Sequence, residues 1–158
     1  MTHIIALDLG TKTGFAEYAD GNPYSEQWVL WKKAKNTTGL ELGRRVSEFN
    51  TKLSLMAGCS EFFPDVIYYE EVRRHLGTDA AHVYGALLGC LEEFCLRDNI
   101  RLVPVGVKVI KKHATGNGNA TKQDMVRAAY KLWGLSNISE DEADALGLLH
   151  YAIQQESK

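Results

Sequence analysis

Apolar positions fall in short runs at the start of the chain and in longer periodic stretches further on. Residues 3–8, "HIIALD", hold four consecutive apolar residues closed by Asp8. A Gly-containing turn leads to a second run over 13–19, and the turn signal "DGNP" precedes a third over 25–33. Three such runs close together predict an antiparallel meander. Between residues 40 and 56, Leu42, Val46, Phe49, Leu53 and Met56 recur every three or four positions, a helical period. Pro64 and Asp65 break the pattern before "VIYYEEV", which reads as a buried fourth strand. A broad helical stripe follows over 79–97 through Ala80, Val83, Tyr84, Leu87, Leu88, Leu91 and Phe94, then a fifth strand over 100–105. "TGNGNAT" is a loop, Thr121 with Asp124 resembles a capping box, and helices are expected over 122–133 and 140–154.

The order βββαβαβ followed by helices predicts an α/β fold. Its mixed five-stranded sheet has three antiparallel strands, then parallel strands added through helical crossovers, with helices on its flanks. The 158 residues suit one domain spanning 1–158. Chemistry is expected at one end of the central strands. Cys59, Cys90 and Cys95 lack a C-x-x-C spacing and read as core thiols in a reducing, cytoplasmic setting rather than a zinc site. No membrane segment or signal peptide is expected. Trp28, Trp31 and Trp133 are expected to be buried anchors.

A formal net charge of −2 hides a segregation. Residues 1–100 hold 10 Lys and Arg against 14 acids, residues 101–135 hold 7 against 1, and residues 136–158 hold 1 against 5. A basic segment directly before an acidic one can set phosphate contacts beside metal ligands.

Five acidic residues stand out: Asp8 ends the first strand, Glu70 and Glu71 end the fourth, and Asp141 and Asp144 open the last helix. Three residues apart, the late pair lies about 60° apart on one helix face. Carboxylates at the ends of buried strands cost stability unless paired or metal-bound, and clustering them raises one another's pKa. A hard divalent cation resolves both penalties, and oxygen ligands select Mg2+, with Mn2+ able to substitute. Two such ions about 4 Å apart can activate a water and steady a leaving oxygen in phosphodiester hydrolysis. Strand parity allows only one of Glu70 and Glu71 to face Asp8, and the flanking residues do not choose between them.

In order and spacing, "ALDLGTKTGFA", "YEEV", "VKVIKKHATGNGNATKQDMV" and "DEADALGL" resemble the RuvC-type Holliday-junction resolvases over nearly the whole chain. The resemblance implies an RNase H-like fold and a Mg2+-dependent endonuclease of DNA recombination and repair, acting as a homodimer on four-way DNA. It implies Asp8, Glu70, Asp141 and Asp144 as catalytic metal ligands, with Glu70 preferred to Glu71. Lys108 and Lys122 match two family lysines close to the scissile phosphate. Lys108, Lys111, Lys112, His113, Lys122 and Arg127 form a candidate phosphate-contacting cluster, with His113 read as structural. Where the bacterial enzymes carry an aromatic wedge one place after the E-x-V element, this chain has Arg73, then Arg74 and His75. Cationic contact in place of apolar unstacking widens the expected substrate to branched DNA generally, as in phage-encoded members.

Two other readings keep the fold. One is a nuclease of structured RNA or RNA–DNA hybrid, since groove shape and 2′-hydroxyl contacts are not legible here. The other is a non-catalytic nucleic-acid-binding module.

Overall fold

The computed structural model describes residues 2–32, 39–59, 63–74 and 77–158. Lys33, where the third predicted strand was to end, and His75 lie outside them, as does the side chain of Cys59. Five strands, β1 (Ile4–Asp8), β2 (Lys12–Ala19), β3 (Asn22–Val29), β4 (Val66–Glu71) and β5 (Arg101–Gly106), form one sheet in the order β3-β2-β1-β4-β5. β1, β2 and β3 pair antiparallel, while β4 joins β1 and β5 joins β4 in parallel, so the expected mixed α/β sheet is present. Helices α1 (Glu41–Cys59) and α2 (Thr78–Arg97) supply the crossovers. Helices α3 (Val107–Thr115), α4 (Lys122–Trp133) and α5 (Glu140–Glu156) complete the chain.

Strand alternation sorts the core into two layers. Ile5, Leu7, Ile67 and Tyr69 meet α1 and α2 through Phe49, Leu53, Leu87 and Leu91. Ile4, Ala6, Val66 and Tyr68 meet α3, α4 and α5 through Ile110, Met125, Leu146 and Leu149. The α2 stripe is core as its period indicates, with Val83, Leu87, Leu91 and Phe94 all buried. Cys95 is buried and Cys90 half-buried, both as free thiols.

Three details depart from the sequence reading. The third strand begins at Asn22, so "DGNP" is not all turn: Asp20 (φ 51°) and Gly21 (φ 85°) alone make the hairpin, and Pro23 already pairs with Tyr18. Pro23 is tolerated because β3 is an edge strand, where a missing N–H need not break the ladder. Helix α3 was not expected at all. Its nine residues open on the β-branched Val107 and Val109 and bury only Ile110, a local signal that packing onto α5 overrides. Finally, Trp28 is buried and stacks on Phe15 at 4.8 Å, but Trp31 and Trp133 are only half-buried.

The last two helices carry full capping boxes, Thr121 with Asp124 on α4 and Ser139 with Glu142 on α5. Among the described residues no helix is long and apolar enough to cross a membrane.

Candidate active site

The register lines up one row of residues across the five strands. Gln27 of β3 pairs with Gly14 of β2, Gly14 pairs with Asp8 of β1, and Glu70 of β4 pairs with Val105 of β5. Leu7 pairs with Tyr69, so one residue on Asp8 comes level with Glu70. Asp8 continues the Ile4–Ala6 parity and Glu70 the Val66–Tyr68 parity, so both face the layer covered by α5. Glu71 shares the parity of Ile67 and Tyr69 on the opposite face and pairs with Arg73 at 2.9 Å. The sheet itself thus separates the two glutamates.

Helix α5 lies across this row at its N-terminal end. A methyl carbon on Gly14 would lie 2.0 Å from the Asp141 carbonyl oxygen and 3.3 Å from the Ala145 Cβ. Only glycine admits the helix that close to β2. From β3, Gln27 Nε2 donates to Asp141 Oδ2 at 2.6 Å and the Ser25 hydroxyl donates to Glu142 Oε1 at 3.3 Å. At the end of β4, the Tyr84 hydroxyl of α2 donates to the Glu70 carbonyl and accepts from the Val72 N–H, both at 3.1 Å. The strand end carrying Glu70 is therefore held by a side chain from the far layer.

The acids raise one another's proton affinity. Burial, then the charges of Glu70, Asp144 and Asp141, push the half-buried Asp8 carboxyl well above its usual range, while Lys122 opposes them. Burial and Asp144 push Glu70 up to about 7, against Lys111 and Lys122. Burial pushes Asp144 up to about 6, with Lys111 and Lys122 again pulling down. Lys122 forms a 3.1 Å ion pair with Glu140, which raises its own pKa.

Among the described residues no three His, Cys, Asp or Glu side chains converge tightly enough to cage an ion by themselves. Mg2+ is seldom caged by protein alone, keeping waters and substrate phosphate beside one or two carboxylates. An all-oxygen set of mutually destabilised carboxylates around the Asp8–Glu70 row fits a cation shared with substrate.

The basic candidates divide. Lys111 and Lys122 act on the acids. Lys108 and Lys112 are exposed, and a Cβ added at Gly118 would lie 3.3 Å from the Lys108 carbonyl oxygen and 3.9 Å from the Lys112 Cβ. Arg127 is exposed and engaged by Asp124 at 2.5 Å. Arg73 and Arg74 are exposed just past β4, the former paired with Glu71. His113 engages another histidine: its Nε2 meets His150 Nδ1 at 2.8 Å between α3 and α5, and burial lowers the pKa of both rings. Sequence reasoning missed Gln27 and Tyr84 and the consequence of Gly14. A glycine inside a strand was a readable hint of close backbone approach; nothing local marks the other two.

The mixed five-stranded sheet and its flanking helices have the RNase H-like fold seen in RuvC. No family model matches the chain. The crossover junction endodeoxyribonuclease RuvC of Caldicellulosiruptor saccharolyticus is 24% identical over 148 residues, covering 92% of this chain and 88% of that protein. The solved structure of T. thermophilus RuvC in complex with Holliday junction substrate superposes with a TM-score of 0.73 at 19% identity, covering 98% of this chain and 97% of that one. The yeast mitochondrial Holliday junction resolvase Ydc2 gives a TM-score of 0.65 at 13% identity over 99% of this chain and 81% of that one. The resemblance to RuvC-type resolvases drawn from the motifs therefore extends to the fold and to nearly the full length.

Proposed function

We propose that this chain is a metal-dependent endodeoxyribonuclease that cuts four-way and other branched DNA, working as a homodimer. The observation that carries the reading is the transverse row placing Asp8 beside Glu70 beneath the N-terminal turns of α5, with Lys111 and Lys122 acting on the same acids. The similarity to RuvC supplies the substrate class.

Asp8, Glu70, Asp141 and Asp144 would hold Mg2+ or Mn2+, two ions per site. When bound, the cations supply Lewis acidity for the attacking water and positive charge at the departing 3′ oxygen. The protein's own groups do the rest. Lys122, tethered through Glu140, is held where it can offset charge building on the phosphoryl oxygens, and Lys111 performs the same service from α3. Lys108, Lys112 and Arg127 contact backbone phosphates flanking the cut. Arg73 and Arg74 stand where an apolar wedge would act, so they grip a branch electrostatically without unstacking it. Symmetric cutting of a four-way junction needs two sites facing opposite strands, and one face of α2 leaves Gly85, Gly89 and Leu96 exposed for a second copy.

The test is cleavage of end-labelled four-way junction, three-way fork, linear duplex and RNA–DNA hybrid in Mg2+, Mn2+ or EDTA. Paired nicks in the junction, lost in EDTA and in Asp144→Asn, are expected. Cutting of the hybrid alone would transfer the site to RNA-containing substrates, and no metal-dependent cutting would leave a binding module.

A further inference from the structure

Gln27 has no place in the sequence pattern that marks the acids, yet it makes the 2.6 Å hydrogen bond that fixes one of them. It lies 114 residues from Asp141, on the edge strand, level with the glycine over which α5 passes. Its parity is that of Ser25, the other β3 residue that reaches α5. By donating to Oδ2, its Nε2 restrains the rotation of the Asp141 carboxylate and with it the direction of Oδ1. A neutral amide suits this position: it donates to a carboxylate and adds no fifth negative charge to a site whose acids already repel one another.

Building on the metal-site reading above, we propose that Gln27 is a positioning residue for cation binding, holding Asp141 so that a single carboxylate oxygen faces the ion. Partners that orient ligating carboxylates commonly contribute about 10- to 100-fold in metal affinity. Ser25 holds only Glu142, which is already engaged in the Ser139 capping box, and so serves as the comparison for a contact that merely ties β3 to α5.

The experiment titrates the metal-free protein with Mn2+, following free ion by electron paramagnetic resonance and heat by calorimetry, without DNA. Gln27→Leu is expected to weaken Mn2+ binding about tenfold, and Gln27→Asn, too short to reach, to do the same should the leucine variant fold poorly. Ser25→Ala should bind as the unaltered protein does. In an Asp141→Asn background, Gln27→Leu should weaken binding no further, because the group it orients has lost its charge. Cutting by Gln27→Leu should recover as Mn2+ is raised to saturation. Unaltered Mn2+ affinity in both Gln27 variants, or an equal loss in Ser25→Ala, would overturn the positioning role while leaving the nuclease reading intact. No Mn2+ binding by the unaltered protein would overturn both.

Discussion

Gly14→Ala isolates the contact that brings the two halves of the acid set together. Alanine suits the β2 backbone, so the perturbation is purely steric. Its methyl carbon would lie 2.0 Å from the Asp141 carbonyl oxygen, whereas ordinary contact begins at 3.4 Å, so helix and strand must part by the 1.4 Å difference. The obstacle is backbone on an element capped by Ser139 and buried along Ala143, Leu146 and Leu149, so rotamer changes cannot absorb it. Overpacking of this kind costs about 1–3 kcal/mol, and at this chain length about 2–4 °C in melting temperature per kcal/mol. Loss of glycine's entropy in the unfolded chain returns less than about 1 kcal/mol. Displacing Asp141 and Asp144 by over an ångström relative to Asp8 should lower cutting about 100-fold, since misplacements of that size carry such penalties. Gly43→Ala in α1, with nothing within 4 Å of the added carbon, is the control and should be neutral or slightly stabilising. Melting curves and single-turnover cleavage of a four-way junction read both effects. If Gly14→Ala melts within 1 °C of the parent, on the order expected for a neutral change, and cuts at the same rate, the close approach of α5 does not set the site.

Asp8→Asn and Asp144→Asn should each abolish cutting in Mg2+ while junction binding, read by gel shift, is retained or tightened by the loss of a repelling charge. Lys111→Ala should slow cutting at least about tenfold by removing positive charge beside Glu70 and Asp144, while Lys108→Ala should chiefly weaken binding and reduce its salt slope by about one. Tyr84→Phe should cost about 1 kcal/mol in urea melts and slow cutting, because the Glu70 carbonyl and Val72 N–H lose their shared partner. The metal-free protein should lose stability as pH rises. Glu70 titrates from 4.5 in the unfolded chain to about 7 in the fold, and Asp144 from 3.8 to about 6. Both folded forms bind the proton more tightly, so this contribution is complete below about pH 4 and gone above about pH 7. At about 1.4 kcal/mol per pH unit, and discounted for the half-buried setting of both groups, it is worth about 1–2 kcal/mol each. Mg2+ should restore the melting temperature at pH 8, and a metal-free curve flat from pH 4.5 to 7.5 would contradict the arrangement.

The sequence by itself determined most of the scaffold. Short apolar runs and helical stripes are local, so the presence of five strands, the α2 stripe and the Thr121 capping box were legible from the chain, though not every strand boundary. Asp8, the Glu70/Glu71 pair, Asp141 and Asp144 were conspicuous in one dimension, as ionisable groups closing apolar strands or paired on one helix turn, while only the family resemblance preferred Glu70 to Glu71. Their proximity could not be read that way. It depends on the register between β1 and β4, which puts Glu70 rather than Glu71 on the face of Asp8, and on the absence of a side chain at Gly14, which lets α5 descend onto that face. Helix α3 was invisible for a related reason: its nine residues bury one side chain and take their conformation from what they pack against. Tertiary structure alone separated Lys111 from Lys108, sent His113 to His150, and brought Gln27 to Asp141. Local pattern records which residues prefer burial and at what period, whereas contacts across 114 positions exist only once the sheet has set its register.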